Sequence, residues 1–397
     1  MPVMQVERPR VALNAQLLRI NEGYRSAGIA RYMLHLLREL APAAPDFQLN
    51  VYATEPLAPT VLSNVTIHTT PIPAHKPLAR IFWEQTIFPL TLLQKNYSLL
   101  HSLAYVSPFL NRTRSIVTLY DLSFYLYPQY FRPFHRHYLQ LGTRVSARRA
   151  KRLLTISEST KRDAIRLLNV DANKIDVAYP GVDTEFFQTF PPATLETFRR
   201  EKQLPEHFVL FIGTREPRKN IPTLIRGFAL AKRQQNFPHH LVLAGGRGWM
   251  DQEIPRAIAE TGLGNEVIFP GFVPHHELPL WYRAAAAFAY PSQYEGFGMP
   301  ALEALASGTP VITSNVSSLP EAVGDAALLI DPQSPEQIAD ALIRVLSDDA
   351  LRNEMETRGL EHARQFTWTR AAQVTAQSYR LALGLAQPIS VIKPVSV

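Results

Sequence analysis

The strongest constraint on the fold comes from residues 290–312, which read as strand, glycine loop, helix, tight turn and strand. An apolar run ending at Tyr290 has the length of a buried strand, and Gly296 and Gly298 let the backbone turn where a side chain would clash. Pro300 suits the first turn of a helix, because its missing N–H needs no partner there. Two strands joined through a helix in this way predict a parallel sheet.

The same alternation of strands and helices runs through both halves of the 397-residue chain. A proline-containing stretch between residues 186 and 206 interrupts it, and we place the main domain connection there. Alternating strands and helices favour parallel sheets with right-handed crossovers. We therefore predict the α/β class, with one Rossmann-like domain in residues 1–190 and a second in residues 206–366.

Two carboxylates flank the helix start at Pro300. The N–H groups at the start of a helix suit a phosphate, which repels carboxylates. Glu295, before the helix, and Glu303, one turn inside it, are therefore better placed to accept hydrogen bonds from hydroxyls on either side of a phosphate. A nucleotide sugar offers sugar hydroxyls, a diphosphate and ribose hydroxyls in that order. An ordinary loop-to-helix turn with two solvated acids fits the same residues.

A pair of cations forms a second candidate phosphate contact. Arg218 and Lys219 follow the apolar strand Phe208–Ile212 and precede a helix that begins at Ile221. Arginine offers a bidentate fork and lysine a point charge, and both suit a diphosphate. Surface charge is the alternative reading of this pair.

The spacing of Glu295 and Glu303, with Gly-Phe-Gly following Glu295, resembles the E-x7-E signature of retaining nucleotide-sugar glycosyltransferases of family 4. The resemblance extends through nearly the whole chain, including Tyr179-Pro-Gly-Val-Asp183. It implies the GT-B architecture, in which two Rossmann-like domains face each other across a cleft. It also implies that the last helix, about residues 367–386, returns to the N-terminal domain.

The resemblance implies roles for individual residues. Arg218 and Lys219 would stabilise charge on the leaving diphosphate, Glu303 would hold the ribose and Glu295 the transferred sugar. Transfer would proceed on the front face, with domain closure bringing Asp121 towards the donor. The catalytic set is Glu295, Arg218, Lys219 and Asp121. The donor-binding set is Gly28, Thr214, Arg218, Lys219, Phe272, Val273, Glu295, Gly296, Phe297, Gly298, Met299 and Glu303.

The first domain would bind the acceptor through His101, Tyr120 and Asp121. His101 lies near the C-terminal end of a short buried strand, where ligands collect in parallel sheets. A hydrogen-bonded structural histidine fits that position equally well. Many relatives carry histidine where this chain has Tyr120, so the role of position 120 stays open. Asp121 can position an acceptor hydroxyl.

The segments Arg80–Gln85 and Glu216–Asn220 are similar to those of family members that use mannosyl donors. The resemblance therefore implies transfer of mannose from GDP-mannose to a saccharide or lipid-linked saccharide, in polysaccharide, lipopolysaccharide or other glycoconjugate synthesis. A UDP-glucose-type donor or another nucleotide sugar is the alternative. No cofactor and no metal are expected, because His275, His276 and Glu277 are adjacent ligands that point apart and no distant partner is evident.

Charge and hydropathy bear on location. Residues 1–200 hold 24 Lys/Arg and 14 Asp/Glu, whereas residues 201–397 hold 17 and 20. The basic stretch Phe131–Arg152 could lie on an anionic membrane, face a charged acceptor or form an ordinary solvated helix. There is no cysteine, no apolar run of about 18 residues and no signal-peptide core in the first eight residues. We expect a cytoplasmic protein, peripheral at the inner face of the membrane if the basic helix binds lipid.

Three other classes fit parts of the sequence. A NAD-dependent dehydrogenase shares the topology, but residues 1–60 contain no G-x-G-x-x-G. A nucleic-acid-binding protein would suit the pI of 9.5, but none of the recognisable binding motifs is present. A lectin-like module without catalysis is disfavoured by the intact acids and cations at positions 295, 303, 218 and 219.

Overall fold

The computed structural model describes residues 8–19, 28–57, 61–70, 76–248 and 251–386. Two compact units make up this part of the chain. The first contains the described residues up to Gly181 and the last helix from Trp368, and the second runs from Val182 to Thr367. The predicted limits were residues 190 and 206. The stretch between them lies in the second unit, where residues 192–201 form a helix that the sequence analysis left as a connection.

Each unit is built around a parallel sheet. Within the described residues the strand orders are β3-β2-β1-β4-β5-β6-β7 and β10-β9-β8-β11-β12-β13. These orders confirm the predicted α/β class with two Rossmann-like domains. The strands of the first sheet are β1 Arg10–Asn14, β2 Gln48–Ala53, β3 Thr66–Thr69, β4 Leu99–Ser102, β5 Arg114–Leu119, β6 Arg152–Thr155 and β7 Ile175–Val177. Those of the second are β8 Phe208–Ile212, β9 His240–Ala244, β10 Val267–Ile268, β11 Ala287–Tyr290, β12 Val311–Ser314 and β13 Leu328–Ile330.

Helices connect the strands of both sheets. In chain order they are α1 Ile29–Ala43, α2 Pro77–Phe82, α3 Phe88–Gln94, α4 Ser123–Leu126, α5 Pro133–Arg149, α6 Glu158–Leu168, α7 Pro192–Glu201, α8 Ile221–Gln234, α9 Glu253–Thr261, α10 Leu278–Ala284, α11 Met299–Ala306, α12 Leu319–Val323, α13 Pro335–Ser347, α14 Asp349–Ala363 and α15 Trp368–Leu383. A π-helical turn, Trp83–Ile87, joins α2 to α3. The sequence Ser157-Glu158-Ser159 predicts a cap for α6, and the Ser157 side chain accepts the N–H of Thr160 at 2.9 Å.

The strands that carry the candidate site are the most apolar part of the second unit. All residues of β11 and β12 are buried, and β8 is buried except at its last residue. The uninterrupted apolar sequences of β8 and β11 fit strands that helices cover on both faces. The order of the second sheet reverses between β8 and β11. Ligands of such sheets bind beyond the carboxyl ends of the strands at this point.

The last helix belongs to the first unit, as predicted. α15 packs against α1, with the rings of Tyr32 and Trp368 edge to face at 5.4 Å between centroids. Arg380 pairs with Asp46 at 2.7 Å, and Tyr379 is fully buried. This helix therefore completes the core of the first unit.

The run Val267–Val273 predicts a strand, but the strand in the structure is shorter. The run Val267–Val273 pairs as a strand only at its first two residues. Pro270 has no N–H for the ladder, and Gly271 adopts a φ of 88°, so pairing stops before them. Among the described residues, no helix is both long and apolar enough to cross a membrane.

Candidate functional site

The carboxyl ends of β8 and β11 bring two predicted segments together in the second unit. A short 3-10 turn, Pro217–Lys219, follows β8 and presents Arg218 and Lys219 just before α8. The loop after β11 carries Glu295. The N–H of Gln293 donates to the carbonyl of Arg218 at 2.9 Å, which fastens the loop to the turn. Lys219 and Glu295, which are 76 positions apart in the chain, thus meet at the switch point of the sheet, where the strand order reverses.

Glu295 pairs with both cations. One carboxylate oxygen lies 2.7 Å from Nη1 of Arg218, and the other accepts from Nζ of Lys219 at 2.7 Å. Arg218 also contacts Glu216 at 2.5 Å, and the Lys219 ammonium donates to the hydroxyl of Tyr290. Two cations and two carboxylates therefore form one cluster whose formal charge is close to zero.

Burial strengthens the attraction between the charges of this cluster. Glu295 and Lys219 are each only 8% exposed. Burial alone would raise the pKa of Glu295, but the neighbouring Arg218 and Lys219 bring that pKa down from 4.5 to about 2. Burial lowers the pKa of Lys219, and the Glu295 carboxylate opposes that effect. Removing one charge would leave the cluster with a net charge in a buried site, which is costly.

Three side chains that the sequence analysis missed hold these loops in place. Asn220 adopts a left-handed conformation with a φ of 58° and donates to the carbonyls of Pro291 and Pro332. The Ser317 hydroxyl accepts the N–H of Glu295 at 3.1 Å, and the Ser318 hydroxyl donates to its carbonyl at 2.8 Å. Asparagine directly before a helix was the available signal for the first, because it tolerates left-handed backbone better than other non-glycine residues.

Glycines allow the loops to approach each other closely. A Cβ on Gly245, whose φ is 125°, would lie 2.1 Å from the carbonyl oxygen of Gly213 in the loop after β8. A Cβ on Gly298, at the start of α11 with a φ of 108°, would lie 2.7 Å from Leu319. A glycine before α11 was expected from the sequence. The contact between Gly213 and Gly245 was not, since it depends on the pairing of β8 with β9.

Glu303, the second acid of the signature, lies inside α11. It is 3% exposed, and the hydroxyl of Tyr282 donates to its carboxylate at 3.1 Å. It therefore lies in the helix that follows the loop of Glu295, and its described partner is Tyr282, outside the charged cluster. The two acids have different partners, as separate roles would require.

The remaining predicted donor residues are distributed over both units. Gly296 and Phe297 are buried in the loop before α11, and Met299 is half-buried. Thr214 lies in the loop after β8, Phe272 is 47% exposed and Val273 is buried. Gly28 belongs to the first unit, where it precedes α1 with a φ of 71°. No residue other than glycine adopts that conformation easily.

His101 occupies the core of the first unit. It is fully buried, with Nδ1 2.7 Å from the hydroxyl of Tyr379 and Nε2 2.8 Å from that of Thr118. Burial lowers its pKa to about 3, so the ring is neutral at physiological pH. Both ring nitrogens already have partners. This placement corrects the predicted acceptor contact and matches the structural histidine that the sequence left open.

Tyr120 is also a core residue. It is 4% exposed, its hydroxyl donates to the carbonyl of Leu103 at 2.7 Å, and its ring packs edge to face with Tyr32 at 5.3 Å. Its predicted contact with an acceptor is therefore not supported, because apolar packing holds the side chain inside the sheet layer. Asp121 is different. One carboxylate oxygen accepts from the N–H and hydroxyl of Ser123, and within the described residues no group hydrogen-bonds to the other.

His275 has distant partners that the sequence did not reveal. Its Nε2 lies 3.3 Å from Asp183 and 3.1 Å from Glu185, both in the second unit. The statement that no distant partner accompanies this histidine is therefore wrong. Asp183, Glu185 and His275 lie close enough together to hold one metal ion, and His276 and Glu277 are not part of this group. The absence of a metal requirement stays a prediction.

Two family descriptions match the chain. "Glycosyl transferases group 1" covers residues 194–362, and "Glycosyltransferase Family 4" covers residues 26–186. The O-antigen chain mannosyltransferase B of Escherichia coli is 35% identical over 268 residues, which are 68% of this chain and 70% of the relative. A D-inositol 3-phosphate glycosyltransferase of Corynebacterium glutamicum (strain R) is 35% identical over 235 residues, 57% of this chain and 56% of that protein.

Solved structures share the fold. The sucrose-phosphate synthase of Thermosynechococcus elongatus has a TM-score of 0.74 at 24% identity, covering 96% of this chain and all of that one. Anabaena HepE, solved in complex with UDP and glucose, has a TM-score of 0.71 at 19% identity, covering 94% and 99%. At such identities the likeness concerns the fold alone.

Proposed function

Because this chain belongs to the group 1 glycosyl transferases, with a first half of the family 4 type, we propose that it transfers mannose from GDP-mannose. The stereochemistry at the anomeric carbon would be retained. The acceptor would be a saccharide or a lipid-linked saccharide in the synthesis of a polysaccharide or glycoconjugate. We further propose that transfer needs no metal or other cofactor and takes place in the cytoplasm.

The observation that carries this proposal is the cluster of Arg218, Lys219 and Glu295 at the switch point of the second sheet. A departing nucleoside diphosphate accumulates negative charge, and two preorganised cations in a buried site stabilise such charge strongly. The start of α11 adds backbone N–H groups that favour anions. This chemistry supports a diphosphate leaving group.

Donor binding then requires an exchange of partners. Glu295 holds both cations in the structure, at 2.7 Å each. A diphosphate brings enough negative charge to take its place. The released carboxylate would be free to accept hydrogen bonds from the hydroxyls of the transferred sugar. Glu303, buried in α11, would accept from the ribose.

The remaining steps assign roles to the acceptor side. The free oxygen of the Asp121 carboxylate would position the acceptor hydroxyl. The leaving phosphate oxygen can take the proton of that hydroxyl on the same face of the sugar, so no separate base is required. The new glycosidic bond forms as the bond to the diphosphate breaks, and retention follows from attack on the face that the leaving group vacates.

The choice of mannose is supported by the O-antigen mannosyltransferase among the relatives. Solved structures of the same fold contain UDP and glucose, which favours a UDP-sugar as the second candidate. A panel of GDP-mannose, UDP-glucose, UDP-galactose and UDP-N-acetylglucosamine distinguishes them by nucleotide release and by transfer. We expect GDP-mannose to be used best, with activity unchanged by a chelator. NMR of the product should show the anomeric configuration of the donor, and inversion would contradict the mechanism.

Two variants test the site. Lys219→Ala and Glu295→Ala should each lower kcat about 100- to 1000-fold, which is typical for removal of one preorganised group. The matched control is Lys202→Ala, which removes a lysine paired with Glu277 on the surface of the same unit. It should retain activity. Unchanged transfer by both site variants, in folded protein, would exclude this cluster as the donor site.

A further inference from the structure

The helical segment from α2 to α3 exposes an unusual number of large apolar side chains. Its members, each 46% to 65% exposed, are Leu78, Phe82, Ile87, Leu90 and Leu93, and we call them the apolar face. Residues three or four apart share one side of an α-helix. The π-helical turn at Trp83–Ile87 adds a residue to that turn, so the five-residue step from Phe82 to Ile87 keeps the exposed residues on one side.

Neighbouring elements extend the apolar surface. The N–H of Phe109 donates to the side chain of Gln85 at 2.9 Å, so the loop before β5 contacts the π-helical turn. Arg149, at the end of α5, donates to the carbonyl of Phe109 at 2.5 Å. This loop and α5 carry three further exposed side chains: Leu110 at 76%, Phe134 at 65% and Leu141 at 64%. Exposed apolar groups in such number indicate an interaction site.

A basic cavity lies beside this surface. It has a volume of about 290 Å³, and its lining includes Arg112, Arg114, Arg149 and Lys151. In the part of the chain that the structure describes, none of these four cations lies within 4.0 Å of a carboxylate. Arginine and lysine side chains that surround one cavity and lack a carboxylate partner there suit a phosphate group.

The charge of the whole segment is one-sided. Residues 76–152 contain twelve Lys/Arg and two Asp/Glu, a net charge of +10, which equals the net charge of all residues 1–200. Neither of these two acids neutralises the positive charge at the surface. Glu84 is buried with Arg80 3.9 Å away, and Asp121 is half-buried at the start of α4. Outside the segment, Asp176 pairs with Arg152 at 2.6 Å. The contiguous elements therefore combine exposed apolar side chains with an excess of positive charge.

We propose that these elements dock the first unit on an anionic lipid bilayer. The apolar face enters the boundary between headgroups and acyl chains, and the basic cavity binds the phosphate of an acidic headgroup. Charge complementarity selects anionic over zwitterionic lipid, since each cation near such a surface adds to the affinity. A nucleic acid would also attract the cations, but it offers no apolar phase for eight exposed leucine, isoleucine and phenylalanine side chains. The docking does not depend on the donor or acceptor proposed above.

Flotation of the full-length protein with vesicles tests the proposal. The vesicles contain either phosphatidylcholine alone or an equimolar mixture of phosphatidylcholine and phosphatidylglycerol. We expect strong partitioning only onto the mixed vesicles, persisting in inorganic phosphate at the same ionic strength as the buffer. Equal partitioning onto both vesicles would overturn the role of charge. Displacement by inorganic phosphate alone would identify the cavity as a site for free anions. Tighter binding to a mixed RNA than to the vesicles would assign the surface to nucleic acid.

Paired variants locate the surface. Arg112→Gln with Lys151→Gln should lower the partition coefficient about thirtyfold. Phe82→Gln with Leu90→Gln should lower it at least about tenfold. The matched controls lie in the second unit: Arg199→Gln with Arg200→Gln for charge, and Leu329→Gln, whose leucine is 42% exposed, for apolarity. Losses no larger than those of the controls would overturn the assignment. All variants replace side chains that are exposed or, at Arg199, half-buried, and thermal unfolding reports whether each is folded.

Discussion

Replacing Glu295 with glutamine removes one negative charge and keeps the size of the side chain. In the folded protein the two cations lower the pKa of this carboxyl from 4.5 to about 2. Because a lower pKa in the folded state is a stabilisation of the charged form, this difference corresponds to roughly 3 kcal/mol. The variant also leaves buried Lys219 without its carboxylate, but this is the same interaction counted from the lysine and adds nothing to that figure.

The sign of the pH dependence follows from that pKa. The carboxylate contributes its full stabilisation above pH 4.5, where the unfolded carboxyl is ionised as well, and loses it as the pH falls through 2. The difference between Glu295→Gln and the unmodified protein should therefore be largest near neutral pH and narrow below pH 4.5. Calorimetry should show the second unit melting roughly 10 °C lower at pH 7, since each kcal/mol moves Tm about 2–4 °C in a unit of this size.

Glu356→Gln is the matched control. It removes a carboxylate 2.5 Å from Arg283 in the same unit, but the two side chains are 27% and 34% exposed. Water screens such a pair, so the change should cost less than about 1 kcal/mol. If Glu295→Gln lowered Tm no more than this control, the desolvation of the buried ions would cancel their attraction, and the reasoning from the pKa would be refuted. Tighter binding of GDP by Glu295→Gln would further support the proposed exchange of partners, because the diphosphate would no longer have to displace the Glu295 carboxylate from the two cations.

The remaining predictions concern buried positions away from the charged cluster. His101→Leu should destabilise the first unit by roughly 2–4 kcal/mol, because two hydroxyls lose their partner, while the KM for the acceptor stays unchanged; a raised KM in folded protein would restore the acceptor role. The unmodified first unit should also lose stability as the pH falls from 6.5 towards 3, measured by urea unfolding, since the buried ring resists protonation. Gly245→Ala should lower both Tm and nucleotide affinity, because the new Cβ meets a carbonyl at 2.1 Å. Gly262→Ala, with a φ of 74° and open space around it, is its control and should cost only about 1–2 kcal/mol; equal losses would show that backbone strain, not the close approach, is responsible.

Local sequence signals predicted the succession of elements well. β8 lies where the apolar run Phe208–Ile212 predicted it, and the cap at Ser157 begins α6. The predictions were wrong where the local sequence pattern did not decide which residues pair in a sheet or form a helix. The run from Val267 stopped forming a strand before Pro270, and the helix 192–201 lay in a stretch whose prolines suggested a connection. Prolines at the first turn of a helix and prolines in a linker look alike in sequence.

The candidate site was predictable in its residue types but not in its contacts. A glycine loop before a helix, a pair of cations after a strand and two spaced acids can all be read from neighbouring residues. The sequence assigned Glu295 to a sugar and Lys219 to a diphosphate. It could not show that they pair with each other, because the loops after β8 and β11 meet only when those strands are neighbours. The same applies to His101, whose partner Tyr379 lies 278 positions away.

By itself the sequence determined the α/β class, the two parallel sheets, the glycine loop before α11 and the excess of positive charge in the first half. These follow from apolar periodicity, glycine and charge, which act over a few residues. Only the tertiary structure decided that Glu295 neutralises the cations, that His101 and Tyr120 are core residues, and that the helical segment 77–94 leaves an apolar face exposed. Burial and partner choice depend on which distant elements pack together, and no local pattern encodes that.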